Sequence, residues 1–326
     1  MVKTPVSRLP SPVSRLPIIL AKMPNSRKLI YIMGCAHCGS TLLTRVLARH
    51  SQIATVGELK MSAIPDYRNY QCGCGAQLLE CPFWKQVARA CAEEGIALDF
   101  SNFGTHYRTT GPLTGRMVAA SVRNPALETL RQAAFTCWPP AARALARINR
   151  QNKLVIDKIC EVLGKPVFLD DSKDPTRLMH LSRTGHYDVR AIYLVRDGRA
   201  VIASYKKRDP DMNANIQLWE SKVSECENLR KVLPDLKLLE IQFEEFCRDS
   251  RRVLAKILAF CGLDDQSEHC LAPDGRESQH IIGHNSRLQA DNPVELRTEW
   301  PKLLTRHDLA NFGRRGRELD ALYDYD

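Results

Sequence analysis

Strands alternate with helices along this sequence, which predicts an α/β fold of three layers, with helices covering both faces of a mostly parallel sheet. Three observations carry that prediction. Short β-rich apolar runs recur at residues 29–33, 53–56, 165–169, 189–195 and 236–241. Helical apolar spacing fills the intervals between several of them. The first run passes directly into a turn bracketed by Gly34 and Gly39, and the helix that follows presents Leu42, Leu43, Val46 and Leu47 on one face.

Composition narrows the partners. At 326 residues the chain can bury a sizeable core as one large domain or two small ones. Lys plus Arg outnumber Asp plus Glu by 47 to 37, and the net charge of +10 suits a polyanionic ligand or an acidic acceptor. No segment concentrates that charge among interleaved aromatics, so nucleic acid is not an expected partner. The 12 cysteines form no compact extracellular framework, and no recognisable signal peptide precedes them, so a reducing compartment, the cytoplasm, is expected. No run of roughly eighteen uncharged apolar residues is present, and no membrane span is expected.

Residues 1–27 repeat PVSRLP and are rich in proline, serine and arginine, the composition of a disordered tail. A single domain is expected over 28–326. In its first turn the amides of Gly39, Ser40 and Thr41 point at one spot at a helix N-terminus, a natural seat for a phosphate. Gly34, Gly39 and Thr41 fall on the spacing G-x-x-x-x-G-K-[ST] of triphosphate loops, but Ser40 occupies the lysine position. Such a loop suits a single phosphate and needs no magnesium, which weakens the reading as an ATP-dependent kinase. A turn without any ligand remains the plainer alternative for this stretch alone.

The second strand delivers Glu58 just past Gly57, at the strand end where ligands sit in doubly wound sheets, although a glutamate on a surface turn would look the same. An insertion at about 60–150 follows, rich in cysteine and then helical. Cys72, Cys74 and Cys81 form a C-x-C with one further cysteine, short of two Cys-x-x-Cys pairs or a Cys/His set, so no metal is expected and the thiols read as packed within a lid or acceptor-side loop. Cys35 and Cys38, a C-x-x-C inside the first turn, also read as packing. Trp84 opens a helix to about Glu94, and 125–163 is helical with a break at Trp138, Pro139 and Pro140.

The later strands carry cations at their ends. The third leads into Asp170, Asp171, Ser172, Lys173, Asp174 and Pro175, then a helix over 177–183. The fourth is followed by Arg196, Asp197, Gly198 and Arg199, then a helix from Ala200; a fifth strand precedes a helix over 249–261. Arg196 is placed to grip a phosphate through paired N–H groups, with Ser204 further along the helix adding a hydroxyl, unless Arg196 and Asp197 simply pair on the surface.

Three of these segments together resemble sulfotransferases that use 3'-phosphoadenosine 5'-phosphosulfate (PAPS). GCAHCGSTLL is similar to that family's 5'-phosphosulfate loop, usually G-x-P-[RK]-S-G-[ST]-[ST]-L; YLVRDGRAVIAS is similar to its 3'-phosphate motif, and DDSKDPTRL to its lysine-bearing segment. VRDGRA and SKDP also resemble the tyrosylprotein branch, and CGCGAQLLECPFW resembles a large group of bacterial sulfotransferases. The resemblance implies a P-loop-like sulfotransferase fold, PAPS as co-substrate without a metal, and transfer of a sulfuryl group to a hydroxyl or amine of a small-molecule, carbohydrate or peptide acceptor.

Carried over by position, the resemblance implies that His37, Cys38, Gly39, Ser40 and Thr41 hold the 5'-phosphate and that Arg196 and Ser204 hold the 3'-phosphate. Glu58 would be the base, at the offset from His37 at which the tyrosylprotein relatives place theirs, and Lys173 the catalytic lysine, assisted by His37. Asn285 and Arg287, within IIGHNSRLQADNPVELRTEW, would belong to the cofactor-closing segment. The sequence departs from the pattern at His37, where arginine or lysine is usual, at Ala36, where proline is usual, and at Phe243, where an aromatic hydroxyl is expected after the fourth strand. The alternatives are a P-loop nucleotide kinase, disfavoured by Ser40, and a non-catalytic nucleotide-binding or scaffold relative. Acceptor identity and oligomeric state are not encoded in any pattern that can be read.

Overall fold

Among the described residues, five parallel strands form one sheet in the order β2-β3-β1-β4-β5: β1 (Arg27–Met33), β2 (Ile53–Thr55), β3 (Val167–Lys173), β4 (Tyr187–Val195) and β5 (Leu238–Gln242). The structure, a computed structural model, describes residues 26–60, 64, 66–272, 279–283, 288, 294–296 and 298–325. β1 lies at the centre, with Leu29 opposite both Phe168 and Val189. It is covered on both faces, which is why its sequence is a continuous apolar run rather than an alternating one: Leu29, Ile30, Tyr31, Ile32 and Met33 are all buried. All five strands were legible as apolar runs, because parallel strands advertise themselves in this way.

Helices fill the crossovers. They are α1 (Ser40–Leu47), α2 (Pro82–Glu93), α3 (Pro112–Ala119), α4 (Pro125–Cys137), α5 (Pro139–Leu163), α6 (Pro175–Ser182), α7 (Gly198–Lys206), α8 (Met212–Val232), α9 (Phe243–Arg248), α10 (Ser250–Cys261), α11 (Ser267–Leu271), α12 (Trp300–Leu303), α13 (Arg306–Arg315) and α14 (Arg317–Ala321). Their starts follow local chemistry. Asn124, Asp174, Asp197 and Asp249 each accept a first-turn amide of the helix they precede, and Thr305 with Asp308 forms a capping box on α13. Proline opens α2, α4, α5 and α6, where its missing N–H is harmless. The break at Trp138 thus separates α4 from α5, as its prolines indicate.

Three expectations need correction. Arg27 belongs to β1, not to the tail, and its guanidinium pairs with Asp157 at 2.9 Å; residues 1–25 of the expected tail lie outside the described residues. β3 continues to Lys173, beyond the apolar run, so Asp170 and Asp171 are strand residues. They are tolerated inside because they are partnered: Asp170 pairs with Arg177 at 2.8 Å, both side chains fully buried, and Arg177 also donates to the Thr105 carbonyl at 2.6 Å. Phe243 follows the fifth strand in chain order, not the fourth, at the start of α9. α3 and α8 escaped the sequence reading; the buried positions of α8 include Asn215 and Glu225, which blur its apolar stripe. Among the described residues no helix is long and apolar enough to cross a membrane.

Candidate functional site

The order of the sheet places the candidate residues. The chain leaves β1 toward β3 and β2 on one side and toward β4 and β5 on the other, and the crevice at such a reversal lies beyond the carboxyl ends of the strands. There β1 runs into the glycine-bracketed turn, β3 ends on Lys173, and β4 is followed by Arg196. β2, beside β3, leads through Gly57 to Glu58.

The turn itself is tightly specified. Gly39 takes a left-handed φ of 94°, and a Cβ added there would fall 2.1 Å from Cε2 of Phe243, so only glycine fits between this ring and the start of α1. As the N-cap of α1, Gly39 offers no side-chain cap, and the Ser40 amide bonds the Cys38 sulfur. Ser40 is buried and Thr41 half-buried. His37 is also left-handed, with a φ of 63°, and its ring meets the Tyr205 ring edge-on at 5.5 Å. Cys35 and Cys38 are buried in the turn with their sulfurs hydrogen-bonded, a contact that pushes Cys35 up and Cys38 down. The expectation that this C-x-x-C packs holds to that extent.

Arg196 ties the turn to β4. Its Nη1 donates to the His37 carbonyl at 2.8 Å, its guanidinium lies 4.7 Å from the centre of the Phe243 ring, and its buried Nε has no partner among the described residues. Asp197 pairs with Arg199 instead, at 3.0 Å, so a surface Arg196–Asp197 pair is not what the fold makes of this motif. The Ser204 hydroxyl donates to the Ala200 carbonyl of its own helix at 3.0 Å. Asn285 and Arg287 lie outside the described residues.

Glu58 and Lys173 are brought together: Nζ of Lys173 lies 2.9 Å from Oε1 of Glu58 and donates to the Asp171 carbonyl at 2.8 Å. Burial disfavours the Lys173 ammonium, yet the carboxylates of Asp171 and Glu58 outweigh burial and push its pKa up. Burial in turn pushes Asp171 up to about 6 against the attraction of Lys173, and Thr44 of α1 donates to Oδ2 of Asp171 at 3.0 Å. Lys173, like His37, holds a left-handed backbone, with a φ of 59°, uncommon for a residue with a side chain and a mark of strain retained at working sites.

An open cleft of about 380 Å³ passes over this pair, lined among others by Glu58, Lys60, Lys173, Asp174, Tyr205 and Lys222. Sequence reasoning missed Lys60, Tyr205 and Lys222. Lys60 follows Glu58 closely and could have been found as a neighbour; it forms an ion pair with Asp174, and its amide bonds the Ser172 hydroxyl at 2.9 Å. Tyr205 and Lys222 arrive from α7 and α8 and left no local signal. Elsewhere, Cys72, Cys74 and Cys81 converge with His280 so that all four donor atoms lie within 4.8 Å of one another, an arrangement able to hold a metal ion that the C-x-C spacing spoke against.

A family model described as "Sulfotransferase family" matches residues 30–267. Similar solved structures include the sulfotransferase domain from the Synechococcus PCC 7002 olefin synthase, 19% identical over 94% of this chain and 98% of that one, with a TM-score of 0.49. A sulfotransferase from Mycobacterium avium, STF9, is 15% identical over 93% of this chain and 78% of its own, with a TM-score of 0.48. Mouse sulfotransferase SULT7A1, complexed with PAP, is 13% identical over 90% and 89%, with a TM-score of 0.42. No curated protein matches the chain by sequence.

Proposed function

This chain belongs to the sulfotransferase family, and on that premise we propose that it transfers a sulfuryl group from PAPS to a hydroxyl or amine acceptor, with Glu58 as base. The observation that carries the reading is the 2.9 Å contact between Glu58 and Lys173 in a cleft also bordered by Gly34 and Ala36 of the first turn. A carboxylate and an ammonium at one point suit a reaction that removes a proton from an acceptor while charge grows on a leaving oxygen.

The residues present fit the donor. The start of α1, which has no side-chain cap, is assigned the 5'-phosphate through Gly39, Ser40 and Thr41 with Cys38 beside them, and the buried Nε of Arg196 has a hydrogen to give to a 3'-phosphate, to which the Ser204 hydroxyl is assigned as well. Asn285 and Arg287 would close over the nucleotide. When bound, the donor supplies a mixed phosphosulfate anhydride open to in-line displacement. Glu58 takes the acceptor proton; Lys173 and His37 direct positive charge and a hydrogen bond at the bridging oxygen, and adenosine 3',5'-bisphosphate leaves. Magnesium has no role, because no lysine of the triphosphate-loop type awaits a γ-phosphate at Ser40. The catalytic unit is one domain that opens with β1 at Arg27, with the insertion at about 60–150 facing a small-molecule, carbohydrate or peptide acceptor in a reducing, cytoplasmic setting.

Calorimetric titration with adenosine 3',5'-bisphosphate, against ATP with magnesium, tests the donor class. Tight, magnesium-independent binding of the bisphosphate and none of ATP is expected. Binding of ATP alone would indicate a kinase, and binding of neither a non-catalytic relative.

A further inference from the structure

Three cysteines from the insertion meet a histidine from near the other end of the chain. Cys74 Sγ lies 3.7 Å from Cys81 Sγ, while Nδ1 of His280 lies 3.4 Å from Cys81 Sγ and 3.8 Å from Cys72 Sγ. These are three of the six edges of a tetrahedron of donor atoms, and the other three are within 4.8 Å. Zinc–sulfur bonds of about 2.3 Å and a zinc–nitrogen bond of about 2.0–2.1 Å require sulfur–sulfur edges of about 3.8 Å and sulfur–nitrogen edges of about 3.5 Å. We propose that Cys72, Cys74, Cys81 and His280 bind one structural zinc ion.

The surrounding backbone is built for this. Residues 70–78 double back on themselves through a bridge between Gln71 and Gln77, with Leu78 donating to the Tyr70 carbonyl at 2.7 Å and Cys72 to the Ala76 carbonyl at 2.9 Å. That knuckle presents Cys72 and Cys74 to one point, and Cys81, the N-cap of α2, completes the thiol set. Backbone amides of Cys74, Ala76 and Trp84 bond the sulfurs of Cys72, Cys74 and Cys81 in turn, the hydrogen bonds that settle negative charge on metal-bound thiolates. The glycine between the first two cysteines lets the distant strand approach: a Cβ on Gly73 would fall 2.7 Å from the Gln279 carbonyl, and its amide donates to the Ile281 carbonyl at 2.9 Å. Phe83 stacks on the His280 ring at 4.3 Å with the planes 8° apart, fixing the imidazole.

Three thiolates and one imidazole in a closed tetrahedron select zinc over hard cations and leave no open position for chemistry. Binding takes the sulfurs as thiolates and the imidazole as neutral, releasing the thiol protons to solvent. The ion then joins residues 199 positions apart, Cys81 and His280. What it holds in place is the segment that flanks the approach to Glu58. Immediately after His280, Ile282 donates to the Val56 carbonyl at 2.8 Å and bridges Gly57 in parallel, and Gly283 exchanges hydrogen bonds with the Tyr70 hydroxyl at 2.8 and 3.0 Å. The strand leading to Glu58 is thereby clamped between β3 and the zinc-bound segment. This inference does not depend on the sulfuryl-transfer reading.

Metal analysis of the full chain, purified without chelators and without a polyhistidine tag, tests it. About one zinc per chain is expected, and cobalt exchanged into the protein should show the strong visible absorption of tetrahedral cobalt with thiolate ligands. Cys81→Ser and His280→Ala should fall below about 0.1 zinc per chain, whereas His280→Cys should keep about one, because four cysteines hold zinc as well. Wild-type protein without stoichiometric zinc, or with iron in its place, overturns the proposal, and so does wild-type zinc content in Cys81→Ser. Should the variants fail to fold, the wild-type stoichiometry and the cobalt spectrum still decide.

Discussion

Lys173 Nζ lies 2.9 Å from Glu58 Oε1, and the two residues stand at the ends of neighbouring strands, β3 and β2, far apart in sequence. Neither strand end alone would make a site. Their adjacency sets an acid–base pair at the wall of a cleft whose other side is formed by the turn after β1 and by α7 and α8.

Glu58→Gln keeps a hydrogen-bonding group against Lys173 while removing the carboxylate proposed as base. The expected outcome is bisphosphate affinity within about 3-fold of wild type and a loss of transfer of about 10²- to 10⁴-fold. Transfer of labelled sulfate from PAPS at saturating donor reads the second quantity, and undiminished turnover would remove Glu58 from the mechanism.

Arg196→Ala loses a charged donor that also braces the His37 carbonyl at 2.8 Å. Bisphosphate affinity should fall by about 10- to 100-fold, the range of charge-assisted hydrogen bonds. Calorimetry giving equal affinity for both proteins would place the 3'-phosphate elsewhere in the crevice.

Gly39→Ala tests the packing of the turn. The added methyl meets the Phe243 ring at 2.1 Å on a left-handed backbone, so overpacking of about 1–3 kcal/mol combines with backbone strain. A lowered thermal midpoint together with weakened bisphosphate binding is expected; a midpoint equal to wild type would show that Phe243 moves aside freely.

His180 links pH to stability. Burial pushes its imidazole down to about 3, and its Nε2 lies 3.0 Å from the Val118 carbonyl while its ring stacks on Tyr107. The unfolded chain takes up a proton near pH 6.5 and the folded protein does not, so the contribution of this group is complete above about 6.5 and is lost progressively as pH falls toward 3. The limit is on the order of 4–5 kcal/mol. In His180→Gln the fall in denaturant midpoint between about pH 7 and pH 4 should be shallower than in wild type; parallel slopes would contradict this assignment.

Much of this molecule was legible because its physics is local. Buried parallel strands need unbroken apolar runs, and so 29–33 and 189–195 declared themselves. A turn that brings α1 against the Phe243 ring needs glycine, and Gly39 stood out. Prolines after Trp138 interrupted the helical stretch over 125–163, and there α4 gives way to α5. Lys173 and Arg196 could be singled out because each closes a β-rich segment with a cation, and the plainer reading of Arg196, a surface pair with Asp197, gave way only when the fold paired Asp197 with Arg199.

What the sequence by itself determined, then, is the alternation of elements, the glycine-bracketed turn and the residues at the strand ends. The tertiary structure alone decided the rest. Asp170 and Asp171 read as loop residues until Arg177 and Thr44 supplied the partners that let carboxylates continue a buried strand. Tyr205 and Lys222 entered the cleft only through the packing of α7 and α8. The cysteine knuckle gained its fourth donor from His280, 199 positions beyond Cys81. Spacing reports on neighbours along the chain, whereas a tetrahedron of donors or an ion pair between strand ends depends on distances that only chain crossing can set.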